Sequence, residues 1–202
     1  MEAIDALIFT SRATSLDMIE TYAKYGRIVL CEELQGSNLL SSAYLDRYSS
    51  FVDAFSTMKA RGLEHLVLLF SRDNESSATY QSALLAYHHV FGQQSTPHLV
   101  FGNIHDFNDG LNVSHQLIKD AHINGILATS DEVAAGLIKG YEESGNKCPY
   151  IIGQEHLLVG QLLNLPTIDH KSYSLGKLAF KQALSESISQ EVLISEFLSQ
   201  DK

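Results

Sequence analysis

Short apolar runs rich in β-branched residues alternate with longer segments of helical period along nearly the whole chain. Few architectures accommodate both periods in strict alternation, and the expected class is α/β, a parallel sheet covered by helices. Residues 4–10, 27–31, 43–45, 65–70, 98–101, 125–129 and 150–153 read as strands, with a closing strand over 191–197. The segment 15–25 places Leu16, Ile19, Tyr22 and Ala23 on one helical face, and 48–61 does the same with Phe51, Phe55 and Met58 before Gly62 ends it. Segments 77–91 and 109–121 read as crossover helices. Ser130 caps a helix that carries Asp131 and Glu132 in its first turn and stops at Gly145, and 172–184 forms a late helix.

At 202 residues, 45% of them hydrophobic, the chain can build one large domain or two small ones with a proper core. It has no apolar run long enough to span a membrane and no basic region before its first apolar stretch, so a cytoplasmic protein is expected. Cys31 and Cys148 match no metal or disulfide-exchange spacing and read as reduced thiols. The net charge of −10 repels a polyanion, and the five arginines are scattered and end at Arg72, so this chain is not expected to bind DNA. The nucleophile-elbow, phosphate-loop and dinucleotide patterns are absent, which points away from an enzyme and from a cofactor. Nine histidines show no metal-binding spacing, and His88 and His89 are adjacent on a helix, so no metal is expected.

The later half carries a more specific pattern: GILATSDEVAAGLIKGYEESGNKCPYIIGQEH, then LPTIDHKSYSLGKLAFKQAL. The pair Ser130 and Asp131, the helical Ala135 and Gly136, the turn residues Gly145 and Pro149, the strand end Gly153, Gln154 and Glu155, the Pro166, Thr167 and Ile168 segment, and Leu175 with Gly176 follow the order of motifs in the effector domain of LacI/GalR-type transcription regulators. The chain resembles that family, more loosely in its front half through IDALIFTS, GRIVLCEE, AYLDRYSSF and KARGLEHLVLLFS. The resemblance implies a periplasmic-binding-protein-like fold of two doubly wound parallel-sheet lobes, with the first lobe incomplete. Residues 1–61 plus about 172–187 would form the first lobe and 62–169 plus about 188–202 the second. The helix-turn-helix head, hinge helix and first two strand-helix units of the family pattern have no counterpart before Ile4. Residues 4–10 would then be an apolar sheet edge, and the chain a remnant regulator.

Ligands of doubly wound sheets bind beyond the carboxyl ends of the strands. Here those positions hold Thr10, Ser11, Arg12, Asp46, Arg47, Ser71, His105, Ser130, Asp131, Gln154, Glu155 and His170. The resemblance implies a sugar or related small-molecule effector held by Ser11, Arg12, Asp46, His105, Ser130, Asp131, Glu155 and His170, because carboxylates accept paired hydroxyl hydrogens and an imidazole face covers C–H surface. Ser130 and Asp131 are equally well accounted for as a helix N-terminus. The family also places an arginine on the helix over 77–91, where Ala83 stands here. As partners the resemblance implies a homodimer or a mixed dimer with a full-length regulator; a free-standing sugar-binding protein is the third reading.

Overall fold

Among the described residues, 4–11, 14–34, 36–72 and 77–200 of the computed structural model, the chain forms ten strands and seven α-helices in two compact units. Unit 1 comprises Met1–Asp46 and Lys171–Ile194; unit 2 comprises Arg47–His170 and Ser195–Lys202. The chain therefore passes between them three times.

Unit 1 is a four-stranded sheet, all parallel, in the order β1 (Ala6–Phe9), β2 (Arg27–Leu30), β3 (Ser41–Asp46), β9 (Gln190–Ile194). One face packs Ile28, Leu30 and Leu40 against Ile19 of α1 (Leu16–Glu20), and the other packs Val29 and Ala43 against Ala179 and Ala183 of α7 (Ser172–Ala183). The helix expected over 15–25 is shorter, giving way to a 3-10 turn at Ala23–Tyr25. Thr21 turns its hydroxyl back onto the Met18 carbonyl, 2.7 Å away, and Tyr22 stays exposed instead of joining the stripe. β1 is a sheet edge, hydrogen-bonded to β2 on one side.

Unit 2 holds a six-stranded sheet, β10 (Glu196–Leu198), β8 (Thr167–Asp169), β7 (Tyr150–Gln154), β6 (Gly125–Leu127), β4 (Leu66–Leu69), β5 (Leu99–Phe101), parallel except for β10. β4 is buried on both faces, and its period of two divides the core. Leu66 and Leu68 face α2 (Tyr48–Ala60) and α3 (Ala78–Phe91); Val67 and Leu69 face α4 (Phe107–Leu117) and α5 (Asp131–Ser144). Gly62 (φ 72°) follows α2, and Gly145 closes α5 in the left-handed region (φ 69°).

Several boundaries differ from the sequence reading. The segment 47–61, assigned there to the first lobe, belongs to unit 2, because Phe51, Phe55 and Met58 are fully buried against Leu66, Leu68, Ile152 and Ile168. The closing strand is two strands in two sheets, with Ser195 as the break: β9 extends unit 1 and β10 runs antiparallel to β8. The helix expected over 109–121 begins earlier, where the Asp106 carboxylate accepts from the Asp109 N–H at 3.0 Å, and ends at Leu117. β8 and the short helix α6 (Leu158–Leu162) were not read from the sequence at all.

Candidate functional site

The carboxyl ends of β4, β6, β7 and β8 open onto one recess of about 100 Å³, lined within unit 2 by Arg47, Leu69, Phe70, Ser71, Ser77, Thr79, Thr129, Gln154, Glu155 and His170. Eight of these ten side chains are polar. Unit 1 has a larger hollow, about 850 Å³, beside Gly26, Arg27 and Ile188. That hollow lies toward the amino ends of β2 and β9, whereas ligands of such sheets bind at the carboxyl ends, so the smaller recess is the better ligand site.

The floor of the recess is a buried relay. His170, 3% exposed, follows β8 and lies edge-on to Phe51 with ring centroids 6.2 Å apart. Its Nε2 is 2.9 Å from Gln154 Oε1 and its Nδ1 3.1 Å from Ser195 Oγ. The Gln154 amide nitrogen donates to the Ala128 carbonyl at 2.6 Å, which leaves Oε1 as acceptor. His170 therefore carries its proton on Nε2 and accepts from the Ser195 hydroxyl at Nδ1. Burial, aided by the Arg47 charge and opposed by Asp169, pushes the imidazole down to about 4, so it is neutral.

Arg47 stands immediately after β3 and precedes α2, accepting the Ser50 hydroxyl hydrogen on its carbonyl. Burial lowers its pKa and the neighbouring Glu155 carboxylate raises it; a guanidinium stays charged throughout the accessible range. Glu155 ends β7 at the rim, exposed, with φ 85°, and His156 follows at φ 51°. Two successive non-glycine residues in the left-handed region cost of order 1 kcal/mol or more each. The Glu155 N–H bond to the Ile168 carbonyl, 2.8 Å, helps hold this turn. Thr129 donates to the Ile104 carbonyl at 3.2 Å, and Ser77 caps α3 by accepting the Tyr80 N–H at 3.4 Å.

Of the residues expected to hold an effector, Glu155 and His170 are brought together, and His170 only as floor. Asp131 is withdrawn from solvent entirely. Its two oxygens accept the Leu157 N–H and the Thr167 hydroxyl, both at 2.6 Å, and a Cβ at Gly153 or Gly160 would strike the carboxylate. Burial raises its pKa against those two bonds, so it is a clamp joining α5, β8 and the segment after β7. Ser130 caps α5 through the Val133 N–H at 3.2 Å. His105 is an exposed loop residue whose N–H meets Asp109 at 2.8 Å, outside the recess. Ser11 and Asp46 belong to unit 1, and Arg12 lies outside the described residues. Ala83, in the place of the expected arginine, is fully buried in the α2/α3 core. The cation of the recess comes from Arg47 instead, which the sequence placed at a strand end but did not select; Ser77, Thr79 and Thr129 carried no signal because their elements meet only in the fold. Among the described residues no cluster could hold a metal, and no helix is long and apolar enough to cross a membrane.

Two α/β units with a polar recess at the strand ends define the class: a periplasmic-binding-protein-like ligand-binding fold. The chain belongs to the family of periplasmic binding proteins and the sugar binding domain of LacI-family regulators, whose pattern it matches over residues 1–200. It is 33% identical over 184 residues to catabolite control protein B of Bacillus subtilis, covering 91% of this chain and 58% of that protein. It is 26% identical to the NTD biosynthesis operon regulator NtdR of the same species, covering 92% and 58%. The chain thus spans less than two thirds of the length of these relatives. Among solved structures, a LacI-family regulator from Enterococcus faecium with bound ribose superposes with a TM-score of 0.80 at 19% identity, covering 97% of this chain and 78% of that one. A Lactobacillus casei regulator with bound sucrose gives 0.81 at 20%, covering 97% and 78%.

Proposed function

We propose that this chain is an effector-sensing domain of a transcription regulator and that its ligand, a sugar or related polyhydroxylated small molecule, is recognised at the unit 2 recess. The observation that carries this reading is the convergence of Ser71, Thr129, Gln154, Glu155 and His170 at the carboxyl ends of four neighbouring strands, with Arg47 among the lining residues. Hydroxyl groups of a ligand pair with a carboxylate acceptor such as Glu155 and with the serine and threonine hydroxyls, while the His170–Gln154–Ser195 relay fixes the floor. Family members of the same fold hold ribose, sucrose and glucose, which supports the ligand class.

Isothermal calorimetry against a panel of pentoses, hexoses, disaccharides and their acidic and phosphorylated derivatives tests the proposal. Saturable binding of one ligand, lost in Glu155→Ala with unchanged thermal stability, is the expected result. Silence across the panel would overturn it.

A second reading, pairing with another copy or with a related regulator, draws on the apolar side chains that α7 leaves in solvent: Tyr173, Phe180 and Leu184 are 79%, 60% and 71% exposed. Sedimentation equilibrium giving a monomer at every concentration would remove the self-pairing form.

A further inference from the structure

We infer that Asp131 is a positioning residue of the unit 2 recess: buried out of a ligand's reach, it holds the Leu157 N–H and so fixes the strained turn that presents Glu155 to the ligand. The inference rests on the recess being the ligand site and adds the residue that sets its rim.

The turn is the first observation. Directly after β7, Glu155 and His156 both take left-handed backbone conformations, φ 85° and 51°. Neither residue has glycine's freedom there, so the turn persists because its surroundings over-determine it. Two hydrogen bonds bracket it. Before the turn, the Glu155 N–H donates to the Ile168 carbonyl at 2.8 Å and continues the ladder with β8. After it, the Leu157 N–H donates to Asp131 Oδ2 at 2.6 Å. The second bond ends on a carboxylate with no solvent exposure, which makes it the stronger of the two.

The placement of Asp131 is the second observation. Its position in the first turn of α5 suggests a helix cap, yet Ser130 already caps that helix through the Val133 N–H. Both Asp131 oxygens reach away from α5, Oδ2 to Leu157 and Oδ1 to the Thr167 hydroxyl at 2.6 Å. The backbone leaves room for each of them: a Cβ on Gly160 would strike Oδ2, and one on Gly153 would strike Oδ1. A carboxylate withdrawn from water is costly without such partners.

The two oxygens therefore have separable tasks. Oδ1 fastens the buried strand β8 to α5, whereas Oδ2 closes the 155–157 turn, whose first residue lines the recess. A contact residue on a turn is only as well placed as the groups that hold the turn.

Calorimetry on the full chain with ribose, glucose, sucrose and their acidic and phosphorylated derivatives tests the inference, using whichever member binds the wild type. Asp131→Ala is expected to weaken that binding at least about tenfold. Asp131→Asn, which keeps an acceptor oxygen for Leu157, should restore most of it. Thr167→Val removes only the Oδ1 partner, so it should lower the melting temperature and leave the affinity unchanged. If Asp131→Ala fails to fold, Gly160→Ala, which displaces Oδ2, should weaken binding in its place. Amide spectra read the same bond without ligand: the Leu157 proton should resonate well downfield in the wild type and in Thr167→Val, and return to the ordinary range in Asp131→Ala or Gly160→Ala. Unchanged affinity in the Oδ2 variants, an equal loss in Thr167→Val, or an ordinary Leu157 resonance in the wild type would overturn the positioning role and leave the recess standing. Silence of the wild type across all the probes would overturn the recess as ligand site and this inference with it.

Discussion

At the scale of the residue, the recess depends on a histidine that stays neutral in the folded chain down to about pH 4. His170 is neutral because burial and the Arg47 charge both oppose an imidazolium, to about 4 against an ordinary value near 6.5. A depressed folded-state pKa means that, between those two values, the unfolded chain binds a proton that the folded chain refuses. Stability from this residue is therefore fully present above about pH 6.5 and is lost as pH falls toward 4, with a span on the order of 3 kcal/mol. Urea midpoints at about pH 7 and about pH 5 should fall further for the wild type than for His170→Gln, which has no titrating ring. Equal drops in the two proteins would show that residue 170 titrates normally. His170 was legible in the sequence as the polar residue after Thr167, Ile168 and Asp169, but its role was not: the partners Gln154 and Ser195 lie 16 and 25 residues away and meet it only across three strands. Asp131 shows the opposite limit, since a buried clamp and a ligand-binding carboxylate occupy the same place in a strand-to-helix motif and differ only in what covers them.

Between elements, α4 and α5 in unit 2 approach each other closely, and glycines make it possible. A Cβ on Gly136 would collide with the Phe107 carbonyl oxygen, one on Gly110 with the Val133 carbonyl oxygen, and one on Gly140 with the Ser114 hydroxyl. Helix-interior glycine is unfavourable by itself, so the contact it permits must outweigh that cost. Gly176 in α7 is different: no atom outside its own helix and chain neighbours lies within 4 Å of its Cβ position. The same substitution therefore has opposite signs at the two sites. Gly136→Ala should destabilise by about 1–3 kcal/mol through forced separation of the helices, whereas Gly176→Ala should stabilise by roughly 0.5–1 kcal/mol. Thermal denaturation followed by circular dichroism reads both, and a neutral Gly136→Ala would mean that α4 and α5 are not locked. Long amphipathic helices such as α2 and α5 were plain in the sequence because several apolar positions repeat. β8 was hidden because its three residues are too few to show a period, and the closing strand looked continuous because nothing in its composition marks the change of sheet at Ser195.

For the whole molecule, the two units differ in how deeply their sheets are protected. In unit 2, β4 and β6 are interior strands, buried along their full lengths and bonded on both sides. In unit 1 the sheet has only four strands, and both of its edges expose apolar side chains: Leu7 on β1, Val192 and Ile194 on β9. Local opening follows the number of buried contacts and shared hydrogen bonds that must be broken, so the units should not open with the same free energy. Native-state hydrogen exchange should show amides of β4, β6 and β7 slowest, those of β2 and β3 intermediate, and those of β1 and β9 fastest. Because the recess lies wholly on unit 2, a ligand bound there should slow exchange around Gln154, Glu155 and the first turn of α3. The chain crosses between the units at 46–47, 170–171 and 194–195. The second of these joins His170 on the recess floor directly to Lys171, whose left-handed backbone (φ 53°) precedes α7. A ligand that slows exchange in β9 as well as around Glu155 would show that binding in unit 2 is felt in unit 1. Protection confined to unit 2 would mean that the recess binds without informing unit 1.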